Sequence, residues 1–234
     1  MTDKISMRIL NINDRINETC LRLGRNSNDI RLMAVSKSYP ISSVEHVFKH
    51  GISLFGESRV QEAIDKFSVF KDKYPEHNTE IHLIGSLQRN KAKNAAVFFD
   101  CIQSVDRLSL IEELGKFSLG RNIPLMIYLE YLTGEESKKG FLDLDELFRA
   151  AEKVHLFEGL KPLGLMTMAP FTTDKKVIRA SFRKCRLASE ELSKRFGKDS
   201  WSHLSMGMSG DYEIALEEGT NLLRIGTAIF GEHE

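Results

Sequence analysis

The chain is poor in the residues that staple or divide small folds. Its 234 residues include three cysteines, five prolines and one tryptophan. Cys20, Cys101 and Cys185 are odd in number and far apart, so they form neither a disulfide framework nor a zinc motif. They read as reduced thiols, the state kept in the cytoplasm. With few prolines and no Ser/Gly-rich stretch there is no linker, and residues 1–234 are expected to form one domain, within the usual range of ~50–250 residues. Neither sign of charge is in excess: 33 basic and 33 acidic residues cancel. A nucleic-acid binder usually needs a basic surplus, as does a polybasic membrane anchor. Long hydrophobic runs are also missing. The longest, residues 123–132, is broken by Glu130 and falls short of the ~20 residues a bilayer requires. The first eight residues contain no signal-peptide core. A cytoplasmic protein is expected, with neither nucleic acid nor membrane as partner.

What the chain does have is a regular alternation. Residues 3–24 carry Ile5, Ile9, Ile12, Ile16 and Leu23 at roughly helical spacing, with Gly24 as a stop. Short apolar runs then predict strands at 31–36, 52–55, 81–84, 101–105, 124–131, 163–168, 201–205 and 222–225. Between them, helical patterns fall at 42–50, 59–71, 90–98, 107–117, 142–154, 174–196 and 211–218. Strands this apolar are buried on both faces, as parallel strands require. Eight strand–helix repeats predict an α/β fold, a single (β/α)8 TIM barrel with an extra N-terminal helix packed on it. The competitor is a doubly wound open sheet. A dinucleotide-binding sheet needs a glycine-rich turn after its first strand, and Val35-Ser-Lys-Ser-Tyr-Pro40 has no glycine.

In such a barrel the site lies at the C-terminal ends of the strands. Lys37 ends the first strand. Partial burial there would lower its pKa and free the amine to attack an aldehyde; the alternative is an exposed lysine at a strand end. The last strand, Arg224-Ile-Gly-Thr-Ala-Ile-Phe-Gly231, places an arginine in an apolar run, with Gly226 and Thr227 just beyond. Backbone amides after that strand can cradle a phosphate. Beside it, Ser205-Met-Gly-Met-Ser-Gly-Asp211 is a second turn, in which Ser209 and Gly210 either cap the next helix or hold an anion. Two such turns and a lysine suit a phosphorylated aldehyde.

These stretches belong to a longer series. Ala34-Val-Ser-Lys37, Phe55-Gly-Glu-Ser-Arg-Val-Gln-Glu62, Ile81-His-Leu-Ile-Gly-Ser-Leu-Gln-Arg-Asn-Lys91, Glu136-Ser-Lys-Lys-Gly140, Gly164-Leu-Met-Thr-Met-Ala-Pro170, Leu204-Ser-Met-Gly-Met-Ser-Gly-Asp211 and Arg224-Ile-Gly-Thr-Ala-Ile-Phe-Gly231 occur in order. Together they resemble the YggS/PROSC family of pyridoxal 5′-phosphate (PLP) homeostasis proteins. The resemblance implies a fold-type III barrel like the N-terminal domain of alanine racemase, with PLP held as a Schiff base on Lys37. It further implies that Arg224 meets the pyridine nitrogen. Lys138, in a charged loop, matches a second family lysine and either takes PLP transiently or is a solvated loop residue. The chain departs from the family pattern at Ser58, usually asparagine, and at Glu130-Tyr131, often Val-Asn. Both positions are expected to border the cofactor.

Other candidates carry less. His82 sits inside a strand and either faces the cofactor or is a hydrogen-bonded core histidine. Ser205 is assigned to the cofactor site with it. His46 and His50 have metal-ligand spacing, but Val47 replaces the glutamate of a zinc-peptidase motif, so they read as a solvent-facing pair. Met166, Met168, Met206 and Met208 read as core filler. An arginine at the ring nitrogen weakens the electron sink, and no second domain supplies the opposing acid/base group of a racemase. The expected function is therefore binding, holding and delivering PLP, with PLP-dependent apo-enzymes as recipients and the chain a monomer. The alternatives are a weak PLP-dependent racemase and a cofactor-free aldolase using Lys37.

Overall fold

The computed structural model describes residues 2–134 and 139–232. Helix α1 (Thr2–Arg22) comes first, and strands and helices then alternate. In order they are β1 (Arg31–Val35), α2 (Ile41–Lys49), β2 (Leu54–Glu57), α3 (Val60–Lys73), β3 (Glu80–Leu83), α4 (Ala92–Phe98), β4 (Cys101–Val105) and α5 (Leu108–Ser118). There follow β5 (Leu125–Glu130), α6 (Leu144–Val154), β6 (Leu160–Met166), α7 (Lys175–Phe196), α8 (Lys198–Trp201), β7 (His203–Ser205), α9 (Tyr212–Glu217), β8 (Leu222–Ile225) and α10 (Thr227–Phe230). The eight strands close into a barrel in chain order. Every pairing is parallel, including β1 with β8, where Met33 sits opposite Arg224 and Ala34 opposite Ile225.

Side chains alternate across each strand, so the barrel has two apolar layers. Ala34, Phe55, Ile81, Ile102, Ile127, Leu165 and Leu223 face outward and meet helix residues such as Val44, Phe67, Phe70, Leu114 and Phe182. Met33, Leu54, Cys101, Tyr128, Leu163, Met166 and Leu222 fill the inside. A Cβ on Gly56 would lie 2.6 Å from the Met33 sulfur, so a larger residue here would require the Met33 side chain to shift. Helix α1 buries the stripe Ile9, Ile12, Ile16 and Cys20. It stops where predicted: Gly24 has φ +65°, and Arg25 N–H reaches back to Cys20 O at 2.9 Å, the hydrogen bond of a glycine-terminated helix. The Arg25 guanidinium then ties this end to Leu216 O and Thr220 O at 2.6 and 2.7 Å.

Three predicted strands are corrected: β2 runs Leu54–Glu57 rather than 52–55 and β6 Leu160–Met166 rather than 163–168, and the third is β7. Residues 201–205 read as a strand partly because of Trp201, yet β7 starts only at His203. Gly197 turns the chain with φ +99° and opens the short α8. Trp201 is fully buried there, against His155 and Phe196. Burying that ring between helices outweighs its preference for a strand. Among the described residues no helix is long and apolar enough to cross a membrane.

Candidate cofactor-binding site

All strands of a parallel barrel end on one rim, and six of their C-terminal ends converge on a cavity of about 310 Å³, at the small end of ligand sites. Val35 and Lys37 line it after β1, Ser58 after β2, and Ile84 and Gly85 after β3. Met166 and Met168 come from β6, Met208, Ser209 and Gly210 from the turn after β7, and Arg224, Gly226 and Thr227 from β8. The structure thus brings together Lys37, Ser209, Gly210, Arg224, Gly226 and Thr227, and places His82 and Ser205 elsewhere.

Lys37 stands on a turn that is fastened from below. Ser36 Oγ donates to Glu57 Oε1 at 2.7 Å, and Lys66 Nζ donates to the same oxygen at 2.8 Å and to Ser36 O at 2.9 Å. Tyr39 N–H also reaches Ser36 O, at 3.1 Å, while the Tyr39 hydroxyl donates to Gly231 O at 2.6 Å. Ser38 is held at φ +66°, a left-handed conformation uncommon for a residue with a Cβ. Lys37 itself is exposed, not partly buried as expected. The turn presents it.

The two turns after β7 and β8 meet each other. Asp211 Oδ1 accepts from Met208 N–H at 2.6 Å, and burial raises the Asp211 carboxyl above its usual range. Ser209 does not cap α9. Its Oγ instead accepts from Ala228 N–H at 3.1 Å, which joins the β7 turn to the first turn of α10. The N–H groups of Ser209, Gly210 and Gly226 have no protein acceptor among the described residues. A Cβ on Gly210 would meet nothing within 4 Å, and one on Gly226 only Val35 at 3.6 Å. No packing constraint excludes a side chain at either glycine; what they leave open is the cavity. Three free amides and a hydroxyl form an anion cradle.

Arg224 forms the cavity floor. Its Nη1 donates to Ser205 Oγ and its Nη2 to Thr167 O, both at 2.8 Å. Burial lowers the guanidinium to about 10, with the Asp211 and Glu130 carboxylates opposing the shift, so it stays charged at neutral pH. Behind it, Ser205 Oγ donates to Gln103 Oε1 at 2.7 Å, and Gln103 Nε2 donates to His82 Nδ1 at 2.7 Å. His82 Nε2 donates to Glu80 Oε1 at 2.5 Å, and Arg31 closes the row on Glu80 Oε2, also at 2.5 Å.

Several expected placements change. His82 is wholly buried, two residues inside the barrel from the cavity, and is the hydrogen-bonded core histidine. Ser205 touches Arg224 rather than the cavity. Met166, Met168 and Met208 line the cavity wall, and only Met206 acts as pure core filler. Ser58 does border the cavity, whereas Glu130 and Tyr131 do not line it. Lys138 lies outside the described residues. His46 and His50 stack at 4.8 Å, and among the described residues no three His, Cys, Asp or Glu side chains are placed to hold a metal. The missed wall residues Val35, Ile84 and Gly85 carry one sequence signal: each falls at or just after a strand's C-terminal end.

A closed parallel barrel with an amine, a buried arginine and an anion cradle on its rim defines a class, and residues 13–234 match the family model described as alanine racemase, N-terminal domain. The chain is 36% identical to a pyridoxal phosphate homeostasis protein of Aquifex aeolicus, over 97% of both chains. Among solved structures it is similar to an unknown protein from Bifidobacterium adolescentis (TM-score 0.91, 32% identity, 98% of this chain and 95% of that one). It is also similar to PipY of Synechococcus elongatus, solved with PLP bound (TM-score 0.81, 30% identity, 97% of this chain and all of that one). The chain belongs to the pyridoxal phosphate homeostasis family of alanine-racemase-type barrels.

Proposed function

We propose that the chain binds PLP in the rim cavity, holds it on Lys37 and takes part in PLP homeostasis by releasing it to PLP-dependent apo-enzymes. The observation that carries this reading is the meeting, in one small cavity, of a free primary amine, a buried cation and unpaired backbone N–H groups. PLP supplies an aldehyde that condenses with an amine, a pyridine ring that draws electrons, and a phosphate. The residues present fit all three: Lys37 would hold the aldehyde end, Arg224 the ring nitrogen, and Ser209, Gly210, Gly226 and Thr227 the phosphate. The printed names of the curated relatives and the PLP-bound PipY structure support the assignment. The fastened turn below Lys37 keeps the amine presented, and its exposure gives PLP a way out.

A weak racemase is the second reading, because the fold is shared with the alanine racemase domain. Racemisation needs acid/base groups on both faces of the substrate carbon, and the described cavity lining offers Lys37 and Arg224 as its only ionisable groups. We therefore favour a carrier, acting in the cytoplasm as a monomer. The test is an absorption spectrum before and after borohydride, with mapping of the modified residue. Wild-type protein should show the visible band of lysine-bound PLP, fixed by reduction on Lys37, and Lys37→Ala should fold without it. Stoichiometric visible-absorbing PLP in Lys37→Ala would overturn the site. Exchange of the alanine α-proton at ~1 per second or faster, an enzyme-like rate, would favour the racemase.

A further inference from the structure

The turn after β7 is closed on itself. Met208 N–H donates to Asp211 Oδ1 at 2.6 Å, and Met208 O accepts from Asp211 N–H at 3.1 Å and from Tyr212 N–H at 3.0 Å. Met208 is thus tied at both backbone groups, by the Asp211 side chain on one side and by the start of α9 on the other. Between these ties lie Ser209 and Gly210. Their N–H groups meet no protein acceptor among the described residues, and both residues line the rim cavity. Ser209 Oγ accepts from Ala228 N–H and so keeps its own proton to give. Asp211 therefore sets the shape of the β7 half of the cradle.

The same side chain brings a negative charge to an anion site. Asp211 follows Gly210 directly and lines both cavities that flank the rim cavity. One, of about 260 Å³, shares Met168, Met208 and Gly210 with it, and the other, of about 530 Å³, shares Ser209 and Gly210. The charges around the larger cavity do not neutralise Asp211. Arg15 of α1 meets Glu213, Arg22 of α1 meets Glu217, and Arg179 of α7 meets Glu217 and Glu218, so they cancel among themselves. Lys175 of α7 is exposed, and water and salt screen its charge. Tyr212 is neutral, its hydroxyl raised by burial. From β8, Arg224 opposes the Asp211 charge, but it is bonded at the cavity floor. The cradle residues Ser209, Gly210, Gly226 and Thr227 supply only neutral donors. Such donors, backed by a carboxylate, repel a doubly charged anion about twice as strongly as a singly charged one.

We infer that Asp211 is a positioning residue of the anion cradle, and that its charge makes the cradle select the singly charged, protonated form of a phosphate monoester over the dianion. This rests on the PLP reading for the identity of the ester, but the pinned turn and the carboxylate face any tetrahedral oxyanion. A phosphate monoester has a second pKa of about 6, so at neutral pH most of the free ligand is the dianion. Binding then takes one proton from solvent, held between the phosphate and Asp211, and release returns it. The hold on the phosphate weakens as pH rises. A cradle of this kind recognises the shape of a phosphate without fastening its full charge, which suits a protein that gives its cofactor up.

Two variants divide the roles. Asp211→Asn keeps an oxygen that accepts from Met208 N–H and removes the charge, whereas Asp211→Ala removes both. With PLP fixed by borohydride, the ³¹P shift is followed over about pH 5–9, across the phosphate titration. The wild-type phosphate should titrate about one unit higher than that of Asp211→Asn, a tenfold change in proton affinity. Equal titration in the two proteins would overturn the selection. Asp211→Ala should retain unreduced PLP about tenfold less well than Asp211→Asn, since only the amide restores the pinned turn. If Asp211→Ala does not fold, Asp211→Glu keeps the charge but displaces the oxygen, and should retain less PLP than the wild type. Equal retention in the pair compared would overturn the positioning role. If the wild type takes no PLP, the proposed function fails, and the apo-protein decides the selection. At about pH 6 inorganic phosphate is mostly singly charged and sulfate doubly, so the wild type should gain more Tm in phosphate than in sulfate. Asp211→Asn should narrow that gap, and a wild type with no preference would overturn the selection.

Discussion

Lys66→Met isolates the fastening beneath Lys37. The Glu57 side chain is fully buried and Lys66 is 13% exposed. In the variant Glu57 keeps a single donor, the Ser36 hydroxyl, because its Oε2 already has no partner. Removing one member of a buried ion pair costs about 3–5 kcal/mol. Lys66 reaches the pair from the surface side, so water can partly follow, and the lower end of that range applies. For a domain of this size each kcal/mol moves Tm by about 2–4 °C. A loss of about 3 kcal/mol thus predicts a fall of about 6–12 °C, measured by thermal or urea unfolding of the apo-protein. The double variant Glu57→Leu/Lys66→Met should recover most of it, since no charge is left stranded. A fall under about 2 °C would mean that the pair is worth no more than a surface ion pair, about 0–1 kcal/mol, and would refute the account of the turn.

The strained turn gives a second expectation. Ser38→Val should lose about 1–2 kcal/mol in urea unfolding because a β-branched residue resists φ +66°. Ser38→Gly should stay within about 0.5 kcal/mol, as relief of strain is offset by the freer unfolded chain. Gly226→Val should leave Tm nearly unchanged, since only Val35 at 3.6 Å faces the new Cβ, yet weaken PLP retention about tenfold or more by filling the cradle; unchanged retention would place the phosphate elsewhere. Acid should destabilise the fold in two steps. His82 is held neutral by burial, so the unfolded chain binds the extra proton and stability falls as pH drops below about 6.5. Glu80 is lowered from 4.5 to about 2, so its contribution of about 2–3 kcal/mol is present above about pH 4.5 and is lost as pH falls toward 2. A Tm that stays flat from about pH 6.5 to 5 would refute the first step.

The barrel was legible because each strand is a short apolar run with a helix pattern behind it. Strands β4 and β8 fall where the pattern put them, and Gly24 ends α1. The short helices α8 and α10 were not legible, because four residues carry too little periodicity to separate a helix from a turn. The rim was half legible. Lys37, Ser209, Arg224 and Gly226 have chemistry that stands out in apolar surroundings. Val35, Ile84, Met166 and Met168 do not, since an apolar side chain at a strand end reads the same whether it faces a cavity or a helix. The interior row was hidden for another reason. Gln103 sits in Cys101-Ile-Gln-Ser-Val105 and His82 in Glu80-Ile-His-Leu83, and either polar residue alone suggests a locally satisfied side chain. Only the strand register, which sets β3 beside β4 and β7 beside β8, brings the partners into line.

The two halves of the site are built to different stiffness, and that difference bears on carrier against enzyme. Arg224 is bonded on two sides, buried, and backed by a row that ends on an ion pair at the far side of the barrel. Lys37 is exposed, and its amine has no partner among the described residues. A catalyst that moves protons at a substrate carbon needs its acid and base groups held near that carbon, within a closed site that keeps water out. In the proposed site the rigid part would face the ring and the loose part the aldehyde. A fixed floor would give recognition of the proposed cofactor, while an accessible amine would allow the bond to it to be made and broken from solvent. If this division holds, changes to the floor such as Ser205→Ala should alter which ring is retained, and changes to the lysine turn such as Ser38→Gly should alter how fast PLP leaves. Stopped-flow transfer of PLP to an apo-enzyme separates the two. Equal effects of both variants on the release rate would mean that floor and rim act as one unit, and the argument for a carrier from unequal stiffness would fail.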